Sequence, residues 1–405
     1  MSAKRKTVVG VIFGGRSVEH DVSIVTGHQV MRAFDPERYE VVPIYINRDG
    51  RWFTGAPLWE LKNFKDDEVT SYKGVESAVI SPSVEHHGLI VNPTAGRFEK
   101  SEIVRLDVVF PAIHGTHGED GTLQGLFELA DLPYVGCGVL GSAIGNDKMM
   151  SKVVLSQQGV PIVEGVAFSR AEWEQAPDQV IQHIVHELPE YPLFIKPATL
   201  GSSIGIGRAG DETMLRAYVD VAANLDRLIL VEKAVTGGVE INCAVMGNGL
   251  EIRASVLEQP VSWEEFLTYE EKYLRGGDGM KSAERLIPAP LSAELTERIK
   301  NTAIQAFRAV QGRGTARIDF LVKPENDEIY VNELNTMPGS LAFYLWQEEG
   351  LSQRQMVDRL VELAREAHAE KRRNTYNYQT NLLEVAAARG LKGIKSAKNR
   401  ISSGT

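Results

Sequence analysis

The sequence predicts an α/β fold carrying a separate α+β lid, and three observations predict it. Residues 7–13 (TVVGVIF) form an apolar run of strand type, Gly14-Gly15 turns the chain, and residues 23–34 follow at helical spacing before a second apolar run at 39–46. That is the βαβ opening of a doubly wound, Rossmann-like domain. Between 133 and 234 short strand-like runs are interrupted by helical stretches, as in a small α+β layer. Finally, residues 315–323 and 328–335 alternate polar and apolar positions on either side of the polar stretch 324–327, as two antiparallel strands do.

Along the chain, residues 47–100 are rich in Gly, Pro and charge and read as peripheral hairpins. A strand at 108–113, a loop at 114–121 and a helix at 123–130 complete a first domain, 1–132. The second, 133–235, is expected to hold a helix starting near Asp147, strands at 193–196, 204–208 and 228–232, and a helix near 212–223. A third, 236–370, carries the strand pair and ends in a helix at 351–369 with Met356, Leu360, Leu363 and Ala367 on one face. The basic stretch 371–405 reads as a loosely held tail.

At 405 residues, and roughly 150 per domain, two or three domains are expected. A formal net charge of -10 argues against a general nucleic-acid or acidic-membrane surface, so an anionic ligand must meet locally placed cations. Cys137 and Cys243 are far apart and suggest neither a disulfide framework nor a zinc site. The basic start lacks an apolar segment behind it, and no apolar run approaches the roughly 20 residues that span a bilayer, so a cytoplasmic protein is expected.

Chemistry concentrates in a few segments. Gly201-Ser202-Ser203-Ile204-Gly205-Ile206-Gly207 follows Lys196-Pro197; its glycines let backbone N–H groups approach phosphate oxygens and its serines add donors. It is not a P-loop, because no Gly-Lys-Ser/Thr follows, and alone such a stretch is more often only a turn. Its weight comes from Lys148, Lys196 and Lys233, point charges suited to phosphates, and from Glu232 and Glu240, acceptors for adenine or ribose.

If the last strand pair closes around a five-residue loop, Arg317 faces Asn335 and Asp319 faces Glu333 on one side. Facing carboxylates repel, and magnesium reverses that penalty by taking carboxylate and amide oxygens together with nucleotide phosphates. Three further segments look catalytic. They are Gly14 to Glu19 at the strand-to-helix switch, the histidine-bearing 113–121, and Tyr269-Glu270-Glu271-Lys272-Tyr273 ahead of a glycine-rich flap.

Over roughly residues 7–365 the chain resembles the D-alanine–D-alanine ligases of the ATP-grasp superfamily. The stretches that carry the likeness are GGRSVEHDVS, HGTHGEDGTLQG, NDKMMSK, FIKPATLGSSIGIG, LVEK, YEEKY, ARIDF and NELNTMPGS, in this order. The resemblance implies an ATP-grasp fold and ATP-dependent joining of two D-alanines through an acyl phosphate, for peptidoglycan synthesis, by a homodimer. It implies that Lys148, Lys196, Ser202, Ser203, Glu232, Lys233, Glu240 and Lys272 bind ATP, and that Asp319, Glu333 and Asn335 hold two Mg2+ or Mn2+ ions. Glu19 would take the first D-alanine's ammonium, with His114 near its carboxylate. Glu19, Ser202 and Tyr273 would link the closed flap to the substrates, and Arg317 with the Gly339 N–H would stabilise the oxyanion. Ser340 and Leu341 would lie by the second substrate, although residues 340–346 stand where many relatives carry a longer Ser-bearing loop for its carboxylate. The flap at 275–286 is also longer than usual, and Val239 replaces a common arginine.

A D-lactate or D-serine acceptor is the nearest alternative. A nicotinamide oxidoreductase is opposed by the missing GxGxxG, and a silent nucleotide-binding protein by the intact metal ligands and arginine.

Overall fold

The structure is a computed structural model that describes residues 5–65, 68–94, 96, 100–261, 284–378 and 380–389. The residues up to Ala367 form one compact unit built on three sheets.

In the first sheet β1 (Thr7–Gly14) runs parallel to β2 (Tyr39–Ile46) and to β7 (Val108–Pro111), with α1 (His20–Ala33) as the crossover. This is the expected βαβ opening. Its switch turn depends on glycine: Gly14 sits at φ +86°, and a Cβ there would lie 2.3 Å from the Ile46 carbonyl oxygen. The stretch read as peripheral hairpins instead widens this sheet. β3 (Trp52–Thr54), β4 (Glu76–Ile80), β5 (Gly88–Val91) and β6 (Glu102–Arg105) add to β2 antiparallel, giving the order β6-β5-β4-β3-β2-β1-β7. Ala78, Ile80, Leu89 and Val91 are buried, so β4 and β5 carry core.

After α2 (Thr122–Leu129) and α3 (Val139–Asn146), α4 (Lys148–Gln157) begins where the Asp147 carboxylate accepts from the N–H groups of Met149 and Met150. A four-stranded antiparallel sheet follows, of β8 (Gly165–Ser169), β9 (Leu193–Pro197), β10 (Gly207–Ala209) and β11 (Leu228–Lys233). α5 (Arg170–Gln175), α6 (Pro177–Glu187) and α7 (Glu212–Leu225) cover it over Ile184, Ile195, Leu215, Val219 and Val231. The strand expected at 204–208 is confined to Gly207–Ala209. Ser202, Ser203 and Gly205 have φ of +55°, +60° and +76°, which no extended strand accommodates, so 201–206 is a turn.

The third sheet has the order β14-β13-β12-β15-β16, from β12 (Val239–Asn248), β13 (Glu251–Val261), β14 (Glu284–Leu286), β15 (Gly314–Lys323) and β16 (Glu328–Asn335). Helix Ala293–Ala309 packs on it through Leu295, Ile299, Ala303 and Phe307, while Ile318 and Phe320 point inward as predicted. Arg317 faces Asn335 and Asp319 faces Glu333, as the sequence implied. The connection, however, is the four-residue turn 324–327, not five, and the register is restored by a bulge that leaves Asn332 without a cross-strand partner.

The final long helix, Gln353–Lys371, buries Met356, Leu360 and Leu363 in the core that also holds Val9, Phe13 and Phe110 of the first sheet. The second unit, residues 368–405, contains helix Leu382–Arg389.

Candidate functional site

A solvent-open cleft brings together the switch turn after β1, the loop after β7, the start of α4, the glycine-rich turn and one face of the third sheet. Beneath it runs a row of cross-strand neighbours: Glu258 on β13 beside Asn242 on β12, Asn242 beside Asp319 on β15, and Asp319 beside Glu333 on β16; all but the buried Asp319 line the cleft. Carboxylates so placed repel, and each has its own cation. Arg317 reaches Asp319 with Nε to Oδ1 at 2.6 Å and Nη2 to Oδ2 at 2.7 Å, Lys148 lies 3.5 Å from Glu333, and Arg285 lies 3.2 Å from Glu258. Burial alone would lower the Arg317 guanidinium, yet Asp319 leaves it raised well above its ordinary value.

Asn335 also donates to Asp319, at 2.9 Å. Among the described residues no three His, Cys, Asp or Glu side chains gather into a metal site. Two facing carboxylates and an amide are nevertheless hard oxygen donors, and a divalent cation shared with nucleotide phosphates would relieve their repulsion, so the donor set fits one.

Lys196 and Glu232 lie deeper. The Glu232 carboxylate is clasped by Lys152 and by Lys196, the latter at 2.6 Å. Burial works to raise its pKa and the two lysines outweigh it, leaving about 2. The bulged Asn332 accepts from Lys196 Nζ at 2.9 Å, so the extra residue in β16 supports a phosphate-type lysine.

On the first-domain side, the Ser202 hydroxyl donates to Glu19, which is buried at the head of α1. His114 is buried too. Its Nδ1 faces the Met337 carbonyl at 2.7 Å and must donate there, so its Nε2 accepts from the Thr26 hydroxyl at 2.8 Å. Burial lowers its pKa, and it serves the wall as a neutral ring with both nitrogens engaged. Beside it Glu119 accepts from the N–H groups of Gly115 and Met337. Burial, with Glu19 adding to it, pushes Glu119 up to about 8 against those two hydrogen bonds.

Of the remaining predicted residues, Glu240 and Gly339 line the cleft. Ser203 does not line it, Lys233 turns outward to Glu190 at 3.1 Å, and Ser340 and Leu341 are buried, with the Ser340 N–H donating to Thr26. Lys272 and Tyr273 lie outside the described residues. Five residues of the site were not singled out from sequence. Lys152 stands one helical turn from Lys148, a spacing that could have flagged it, and Glu119 lies within the histidine loop. Glu258, Arg285 and Asn332 carry no local signal.

The families described as D-ala D-ala ligase N-terminus and D-ala D-ala ligase C-terminus match residues 8–137 and 154–362. A D-alanine–D-alanine ligase of Geobacillus thermodenitrificans is 40% identical, covering 92% of this chain and 100% of the relative. One of Thermosipho africanus is 37% identical, covering 93% and 98%. Among solved structures, the D-alanine–D-alanine ligase of Coxiella burnetii superposes with a TM-score of 0.75 at 30% identity, covering 91% and 98%. A D-Ala:D-Ser ligase of Enterococcus faecalis gives 0.76 at 32%, covering 89% and 100%.

Proposed function

The chain belongs to the D-alanine–D-alanine ligase family, and from that premise we infer how its cleft joins two D-alanine molecules with ATP. The enzyme is an ATP-dependent ligase that makes D-alanyl-D-alanine for peptidoglycan synthesis. The observation that carries the reading is one cleft in which Glu19, Lys148, Arg317, Glu333, Asn335 and Gly339 all present themselves.

Glu19 receives the ammonium group of the first D-alanine and fixes its carboxylate toward the third sheet. An oxygen of that carboxylate attacks the γ-phosphorus of ATP; the new O–P bond forms as the bond to the β–γ bridging oxygen breaks and ADP leaves. Lys148 and Lys196 offset the repulsion between the anions, with Glu232 and Glu240 on the adenosine side. A divalent cation held by Asp319, Glu333 and Asn335 neutralises phosphate charge when bound. We assign it as Mg2+, two ions, with Mn2+ able to replace it.

The second D-alanine, its amine deprotonated, then attacks the acyl carbon, and phosphate leaves with the acyl C–O bond's electron pair. Arg317 and the Gly339 N–H stabilise the oxyanion formed on the way. By resemblance, Ser202 would act with Lys272 and Tyr273, which lie outside the described residues, in keeping water from the acyl phosphate. D-Alanine is preferred to D-lactate or D-serine as acceptor, which the relatives named D-alanine–D-alanine ligase support. We further assign a cytoplasmic homodimer of three domains at 1–132, 133–235 and 236–370 with a basic tail.

The experiment is a screen of D-amino and D-hydroxy acids with ATP and Mg2+, reading phosphate release and product mass. D-Alanine alone should support release and yield the dipeptide. A screen in which no D-amino acid stimulates release would overturn the reading.

A further inference from the structure

Two of the three cations on the acidic row are accounted for by the nucleotide end, since a metal ion on Asp319 and Glu333 frees Arg317 and Lys148 for phosphate and oxyanion. The third pair, Glu258 with Arg285, has no task there. Its strand lies two places from β15 in the sheet, so Glu258 stands roughly 10 Å from Asp319. The pair is built with care. The Glu258 side chain, 2% exposed, accepts from the Tyr344 hydroxyl at 2.5 Å and the Asn242 amide at 3.3 Å, while Arg285, 26% exposed, lies over the Tyr344 ring at 4.6 Å. Arg285 is therefore the open side of the pair, and a guanidinium has five N–H donors, more than Glu258 uses.

A second observation points to the same place. Ser340, Leu341 and Ala342 run left-handed at φ +48°, +51° and +50°. Such a run costs about 1–2 kcal/mol per residue, and here it leads directly into the helix Phe343–Glu348 that delivers Tyr344 to Glu258.

We propose that Arg285 and Glu258 form a clamp for the acceptor amino acid, Arg285 taking its carboxylate and Glu258 its ammonium group, with Tyr344 positioning both. The proposal rests on the ligase reading and deepens it. A zwitterion exchanges with the pair charge for charge. One ammonium proton passes from the amine nitrogen to a Glu258 oxygen, and the freed lone pair attacks the acyl carbon as the C–O bond to phosphate breaks. A hydroxy acid, having no ammonium group, leaves Glu258 unmatched.

The test uses the full-length enzyme with ATP, Mg2+ and equal D-alanine and D-alaninamide, which lacks the carboxylate and can serve only as acceptor. Product masses are counted. Wild type should favour the free dipeptide by about tenfold or more, the worth of a charge-assisted hydrogen bond, and Arg285→Met should bring the ratio toward unity. Tyr344→Phe should move it part of the way. If Arg285→Met does not fold, Arg285→Lys, which keeps the charge and loses the fork, should give an intermediate ratio. A variant in which both products fall together at an unchanged ratio has lost only structure, and that result overturns the clamp while the ligase reading stands. Wild type that makes neither product overturns both.

Discussion

Arg317 grips Asp319 through two parallel contacts, Nε to Oδ1 at 2.6 Å and Nη2 to Oδ2 at 2.7 Å, two residues apart on the same strand. On the proposed roles the arginine occupies the carboxylate assigned to a divalent cation, so metal binding and oxyanion stabilisation would be coupled. Asp319→Asn is expected to remove metal charge and loosen Arg317 together, lowering turnover on the order of 100-fold or more. Glu333→Gln should lower it without freeing Arg317. Divalent-cation titration by calorimetry, with turnover, checks both. Near-normal turnover with an unchanged metal requirement would show that the pair is not the metal site.

Glu232 holds two buried lysines, and removing its charge strands both. Glu232→Gln should cost about 3–5 kcal/mol, the penalty of leaving buried charge unpaired. Its pKa of about 2 lies below the ordinary 4.5, so the stability that it contributes is present above pH 4.5 and lost as pH falls toward 2. The variant should therefore show a flatter acid limb in denaturant melts. An equally steep limb contradicts this.

Lys196 lies below the cleft beside Glu232 and Asn332 whereas Glu19 lines the cleft on its first-domain side, so the two should separate kinetically. Lys196→Ala is expected to raise the KM for ATP about tenfold or more, and Glu19→Gln that for the first D-alanine. Indistinguishable effects on the two substrates would contradict the division.

Glu119 behaves in the opposite sense from Glu232. Buried beside Glu19, its folded pKa of about 8 exceeds 4.5, so the protein is fully favoured at low pH and loses stability as pH rises from about 4.5 toward 8. Glu119→Gln cannot ionise, and its melting temperature should gain on wild type across that window. A constant difference between pH 5 and pH 8.5 would refute the assignment.

What the sequence made legible follows from period and local contact. The βαβ opening and the facing of Asp319 and Glu333 could be read because strand side chains alternate. Even so, the facing was reached with the wrong loop length, because a bulge at Asn332 is invisible in composition and compensates for the shorter turn. Residues 204–206 read as the start of a strand because Ile204 and Ile206 mimic one, whereas Gly205 at φ +76° keeps them in the turn. Glu258 and Arg285 went unseen because their meeting depends on how β13 pairs with β14 and on where Tyr344 arrives. Such long-range register has no local signature.

The most direct measurement is D-alanine-dependent phosphate release by the purified enzyme with ATP and Mg2+ at pH 7, with D-lactate in competition and product masses counted. The dipeptide D-alanyl-D-alanine is predicted to dominate, with one phosphate released per bond formed. Absence of D-alanine-dependent release contradicts the ligase assignment, and a predominant ester contradicts the amine acceptor.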